Sequence, residues 1–125
     1  MNTTTRTALE AGGICDITTI GARSGKPHRL EIAFHYLDGE FIIAGRPGFK
    51  RDWLANLKAN PEFTLHLRNG DDVTGHATEI TDQAERDRIL FAVRTRSWGV
   101  DPKEARATHA HWVETSPLVR FDLVG

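Results

Sequence analysis

Two dipeptides, Asp38-Gly39 and Asn69-Gly70, constrain this chain more than anything else in it. Each stands between two strand-like runs, and a turn pair in that position joins neighbouring antiparallel strands into a hairpin. Ahead of the first, Leu30, Ile32, Phe34 and Tyr36 fall on one face of a strand over 28–36, with Arg29, Glu31 and His35 on the other. The returning strand runs from Glu40 to Gly45. Its Phe41, Ile42, Ile43 and Ala44 are apolar on both faces, which predicts a central position. Around the second turn, Phe63, Leu65 and Leu67 alternate with Thr64, His66 and Arg68, and Asp72 to Ile80 returns.

Ile14 to Ile20 and Pro117 to Val124 read as a first and a last strand. Between the hairpins, Phe49, Trp53, Leu54 and Leu57 mark one face of a helix over 49–58, which Asn60-Pro61 stops. Asp82, with Glu85 three residues on, opens a second helix bearing Ile89, Leu90 and Val93 and ending near Gly99. Asp101-Pro102 opens a third, on which Ala105, Thr108, His109, Trp112 and Val113 share a side. The strand–helix–strand rhythm of a parallel sheet is missing. This order implies an α+β fold, a closed or partly open barrel of about six antiparallel strands with three or four flanking helices. The 125 residues suit a single domain spanning 1–125, with 1–12 a short N-terminal extension.

A net charge of -1 gives no bulk attraction to nucleic acid or to an anionic membrane, so an anion site must come from local clustering. Cys15 is the single cysteine and, between Ile14 and Ile17, reads as a buried thiol. There is no apolar run of signal-peptide or membrane-span length, and the cytoplasm is the expected location. No histidine pair has metal-ligand spacing, since His109 and His111 are two apart on a helix, so no metal site is expected. His35 and His66 lie on polar strand faces and are expected to meet solvent, whereas His109 should line the core or a cavity. Without a nucleophile elbow or a paired-carboxylate pattern, no catalytic side chain is assigned.

What remains is two basic loops. Arg23, Lys26 and Arg29 fall within seven residues, and Arg46, Lys50 and Arg51 within six, with no acid in either stretch. Each cluster follows a strand end beside glycine, which lets backbone amides approach a ligand, and the second opens a helix whose N-terminus favours anions. Arginine adds fork-shaped donors for phosphate or carboxylate. His28 sits in the first loop, while Trp53 and Asn56 project from the helix after the second. Solvated turns would also carry such charges, and Trp53 also fits a core position. Anion loops without a catalytic set suit cofactor chemistry, in which the protein orients and the cofactor reacts.

Three segments carry a resemblance. Thr18-Thr19-Ile20-Gly21-Ala22-Arg23-Ser24-Gly25-Lys26-Pro27 resembles the opening motif of the deazaflavin (F420)-dependent nitroreductases, and Trp53-Leu54-Ala55-Asn56-Leu57-Lys58-Ala59-Asn60-Pro61 their second hallmark. Trp112 followed by Pro117-Leu118-Val119 is similar to their closing helix and strand. The resemblance implies a split β-barrel of the flavin and deazaflavin oxidoreductase superfamily, binding coenzyme F420 through cations that meet its phosphate and oligoglutamate tail. It implies that Arg23, Ser24, Lys26, His28, Gly45, Arg46, Trp53 and Asn56 meet the coenzyme; the two basic loops add Arg29, Gly48 and Lys50 to the expected cofactor set, and Trp98 and His109 are expected in an acceptor pocket. Three departures stand out: a shorter loop from Arg46 to Trp53, His28 followed by Arg29 where many members carry Arg near the end of the first loop, and Ala105 to His111 where nitro-reducing members are rich in tyrosine.

The expected activity is F420H2-dependent hydride transfer to a small acceptor such as a quinone, an enone or a nitroarene. An FMN-dependent oxidoreductase of the same barrel and a non-catalytic carrier are the alternatives. A homodimer is also expected from the barrel type.

Overall fold

A computed structural model describes residues 2–47 and 52–124. Six strands close into an antiparallel barrel: β1 (Gly13–Ile20), β2 (Pro27–Leu37), β3 (Glu40–Ala44), β4 (Glu62–His66), β5 (Asp72–Glu79) and β6 (Leu118–Leu123). Their order around the barrel is β1-β2-β3-β6-β5-β4, with β4 pairing back onto β1. The helices are α1 (Thr3–Ala11), α2 (Asp52–Ala59), α3 (Gln83–Ala92) and α4 (Pro102–Thr115), and a π-helical turn, Val93–Ser97, extends α3. Among the described residues, no helix is long and apolar enough to cross a membrane.

The first hairpin turns as its dipeptide requires. Leu37 pairs with Glu40, leaving Asp38 and Gly39 as a two-residue loop at φ 51° and 84°, the doubly positive geometry that matches strand twist. β3 is central, as its composition predicts: Ile43 packs inside the barrel and Ile42 outside it, each at most 1% exposed. Inside, Ile17, Phe34, Leu65, Val119 and Phe121 meet Ile43, with Leu9 of α1 and Trp53 and Leu57 of α2 joining the same cluster. Outside, Ile42, Ile80 and Leu118 are covered by Ile89, Leu90 and Val93. The expected starts of α3 and α4 are observed, with Asp82 accepting from the Glu85 N–H (3.0 Å) and Asp101 from the Lys103 N–H (3.0 Å).

The stretch expected as an N-terminal extension folds as α1. Asn2 caps it by accepting from the Thr5 N–H (2.8 Å), and it buries Leu9 against the barrel. The chain leaves α1 through Gly12 at φ +65°, where a Cβ would approach Phe34 O to 2.9 Å.

Two histidines depart from expectation. His35 is buried, not solvent-facing, because the segment after α3 covers that face of β2; the Trp98 ring lies edge-on to it, 5.7 Å between centroids. His66 is largely covered too, with 15% of its side chain exposed. Its Nε2 lies 2.7 Å from Thr18 Oγ1 and its Nδ1 2.8 Å from Asp72 Oδ1, so cross-strand polar pairing replaces water.

Candidate active site

The first basic loop is a tight, internally bonded turn. The Gly21 N–H donates to Lys26 O (2.8 Å) and the Gly25 N–H to Gly21 O (3.0 Å), with Gly25 at φ +67°. At position 21 a Cβ would run into Ser24 Oγ and the His28 ring, so a larger residue there would displace those two side chains. Those two side chains face each other, Ser24 Oγ 3.3 Å from His28 Nε2.

Helix α2 is fastened to this loop by Asn56. Its Oδ1 accepts from the Ala22 N–H (2.9 Å), and its Nδ2 donates to Thr19 Oγ1 (3.1 Å), on a fully buried residue. Asn60, one turn on, donates from Nδ2 to Ile20 O (3.4 Å). The Asn56 carboxamide, expected at a coenzyme ring edge, is thus engaged at both ends by the chain and positions the loop.

Between loop and helix lies a cleft of about 650 Å³ lined by Arg23, Ser24, His28, Arg29, Leu30, Asp52, Trp53, Ala55 and Asn56, together with Gly21 and Ala22. Trp53 is both core and wall, 7% exposed within the main cluster and facing the cleft. Arg29 is paired with Asp16 at 2.9 Å. Among the described residues, Arg23 and Lys26 make no ion pair. Lys26 does not itself line the cleft. The donor set is cationic at the mouth, with Asp52 the one carboxylate among the described lining residues, and apolar along Leu30, Trp53 and Ala55. That combination fits a planar ring carrying an anionic tail.

The second basic loop divides. The Gly45 N–H donates to Pro117 O (3.0 Å), which fixes the end of β3 against β6. Gly48 and Lys50 lie outside the described residues, as does Arg51. Arg46 lines a second cavity of about 650 Å³ with Ala44, Gly45, Arg94, Trp98, Val100 and Trp112, and not the first cleft. Among the described residues, the second loop meets the first cleft through α2, which it introduces.

Trp98, expected in an acceptor pocket, lines that second cavity; its ring sits 5.7 Å from that of Trp112, nearly edge-on. His109 does not reach it. Its Nε2 is 2.6 Å from Asp87 Oδ1 and its ring stands edge-on to Phe91, so it fastens α4 to α3. Arg94, which sequence reasoning passed over, is 6% exposed with its guanidinium carbon 4.2 Å from the Trp112 ring centroid. The π-helical turn that carries Arg94 opens one extra residue per turn, a distortion common at functional sites. No sequence pattern at this position distinguishes such a turn from the end of α3. Among the described residues, no three His, Cys, Asp or Glu side chains gather as a metal would require.

Similar folds occur in solved structures. The conserved hypothetical protein Rv2991 of Mycobacterium tuberculosis superposes with a TM-score of 0.76 at 19% identity, covering 100% of this chain and 82% of that one. A FAD-binding protein from Mesorhizobium loti gives 0.59 at 18% identity, covering 100% and 91%. An F420 reductase gives 0.66 at 16% identity, covering 96% and 93%. At such identities the likeness establishes the barrel. A search of curated proteins returns no match. The family model for F420H(2)-dependent quinone reductase matches residues 1–113. With nine-tenths of its length matched, the chain belongs to the F420H(2)-dependent quinone reductase family and is a reductase that uses coenzyme F420.

Proposed function

We propose that the cleft beside the first basic loop holds coenzyme F420 and that a quinone-type acceptor enters from the Trp98/Trp112 cavity. The observation that carries this reading is the Asn56 fastening, which sets the Arg23 loop against the Trp53 helix and makes one cationic cleft of two distant motifs. Arg23 is the principal partner of the phosphate and tail, supported by Ser24, Lys26 and His28. Arg29 contributes less because Asp16 already holds it. Trp53 and Leu30 offer the ring an apolar wall, and the burial of Trp53 keeps that wall fixed.

When bound, the reduced coenzyme supplies a hydride. The chain's residues orient both reactants and exclude water between them. Gly45 stands where the barrel edge meets the cavity, with no side chain to block approach, and Arg46 at the rim offers a cation to either reactant. A planar quinone suits a cavity walled by two indoles, and the family's own description names quinone reduction. Enones and nitroarenes share the planarity and are the comparison acceptors.

The test is a fluorescence titration of the protein with F420, with FMN as comparator, for wild type and Arg23→Ala. Loss of one charge-assisted contact should weaken F420 roughly 10–150-fold. Arg29→Ala should cost less than Arg23→Ala. Unchanged F420 affinity in Arg23→Ala removes this placement of the coenzyme tail.

A further inference from the structure

Two arginines on the α3 segment are buried, and their surroundings differ in a telling way. Arg86 is 8% exposed, and all its guanidinium nitrogens donate: Nε to Val113 O (2.7 Å), one terminal nitrogen to Ile80 O (2.8 Å), the other to Ser116 O. Burial works against its charge, and Glu79 nearby partly offsets that. Arg86 is a strap between α3, β5 and the end of α4, complete in itself.

Arg94 is different. One terminal nitrogen donates to Ala105 O (2.9 Å) and the other to Thr108 Oγ1 (2.9 Å), both on α4, but Nε is buried and has no partner. Among the described residues no carboxylate pairs with it, and burial works against its charge. A buried cation with only neutral acceptors and one idle donor is unfavourable unless something anionic approaches. The cavity it lines supplies the approach, with Trp98 and Trp112 as walls and Arg46 at the rim. The guanidinium face is spent on Trp112 and both terminal nitrogens on α4, which leaves Nε as the one donor without a partner.

We infer that the Trp98/Trp112 cavity selects planar acceptors bearing a negative charge on a ring oxygen, such as the enolate of a hydroxynaphthoquinone, through the Nε–H of Arg94. This rests on the reading of the cavity as the acceptor site. The two indoles give the cavity an apolar wall that does not discriminate by charge, and Arg94 prefers the ring whose oxygen is charged, since a hydrogen bond between ions is stronger than one to a neutral carbonyl.

The experiment is calorimetric titration of the full chain, saturated with oxidised F420 so that the basic cleft is occupied. The probes are hydroxynaphthoquinone, an enolate at neutral pH, and methylnaphthoquinone, its neutral counterpart of similar shape. Wild type should bind the enolate roughly tenfold or more tightly than the methyl compound. Arg94→Met should bring the two affinities together. Because Arg94 also braces α4, Arg94→Lys is the second variant; it keeps a cation without an Nε–H and should lose most of the preference. Equal affinities in wild type, or a preference intact in a folded Arg94 variant, overturn the inference. If F420 excludes both naphthoquinones while the F420-free protein binds them, the reading of the cavity as an acceptor site fails as well.

Discussion

At the scale of single residues, the histidines show how burial changes chemistry. His35 sits between β2 and the Trp98 ring with its Nε2 unpartnered, and burial pushes its pKa below the ordinary 6.5. The folded state thus holds it neutral where an unfolded chain would begin to take a proton. A depressed histidine pKa means that the unfolded state binds more protons below pH 6.5, so stability falls as pH drops through that value and levels off below the folded-state pKa. Denaturant titrations between pH 5 and 8 should show this fall, at most about 1.4 kcal/mol per pH unit for one proton. His35→Phe should flatten that part of the profile, and an unchanged slope would place the proton elsewhere. Cys15 shows the same physics with the opposite sign of charge. Burial raises its thiol to about 11, which leaves it unreactive at neutral pH.

At the scale of elements, α1 and the π-helical turn mark where local sequence stops being informative. Three consecutive threonines, Thr3 to Thr5, are weak helix formers, so α1 exists because Asn2 caps it and Leu9 finds the barrel. Tertiary burial decides what propensity does not. Leu9→Ala should therefore cost about 2–5 kcal/mol in chemical denaturation, far more than the same change on an exposed helix face. A cost under about 0.5 kcal/mol would mean that α1 adds little to the barrel. The strands were legible because alternation is dictated by the pleat: Phe63, Leu65 and Leu67 are all within 5% of full burial, as their period requires. His35 escaped the same rule because its face is covered by a segment more than fifty residues away, which no window along the strand contains. Trp98 could be placed at a cavity, whereas Arg94 and the double hydrogen bond of Asn56 depend on which loops meet in space.

At the scale of the whole molecule, the two apolar clusters lie on opposite faces of the same strands. Ile43 and Val119 point into the barrel while Ile42 and Leu118, their neighbours in sequence, lie under α3. Neither cluster can lose its packing without exposing β3 and β6 to the other side. Tryptophan fluorescence, which reports on Trp53 in one region and Trp98 and Trp112 in another, and far-ultraviolet circular dichroism should therefore give one coincident unfolding transition. Separated midpoints would show the helical layer to be an independent unit.

The order of strands around the barrel has a further bearing on how a cell makes this protein. β6 is translated after the other five strands yet lies between β3 and β5, and until it arrives those two have open edges facing each other across a gap. Every residue proposed to hold the coenzyme precedes position 60, yet the wall behind them is finished only after position 118 has left the ribosome. A nascent chain interrupted between those points would expose two unpaired β edges to its neighbours. In the proposed placement of the coenzyme, its residues come early in the chain while the barrel behind them closes late.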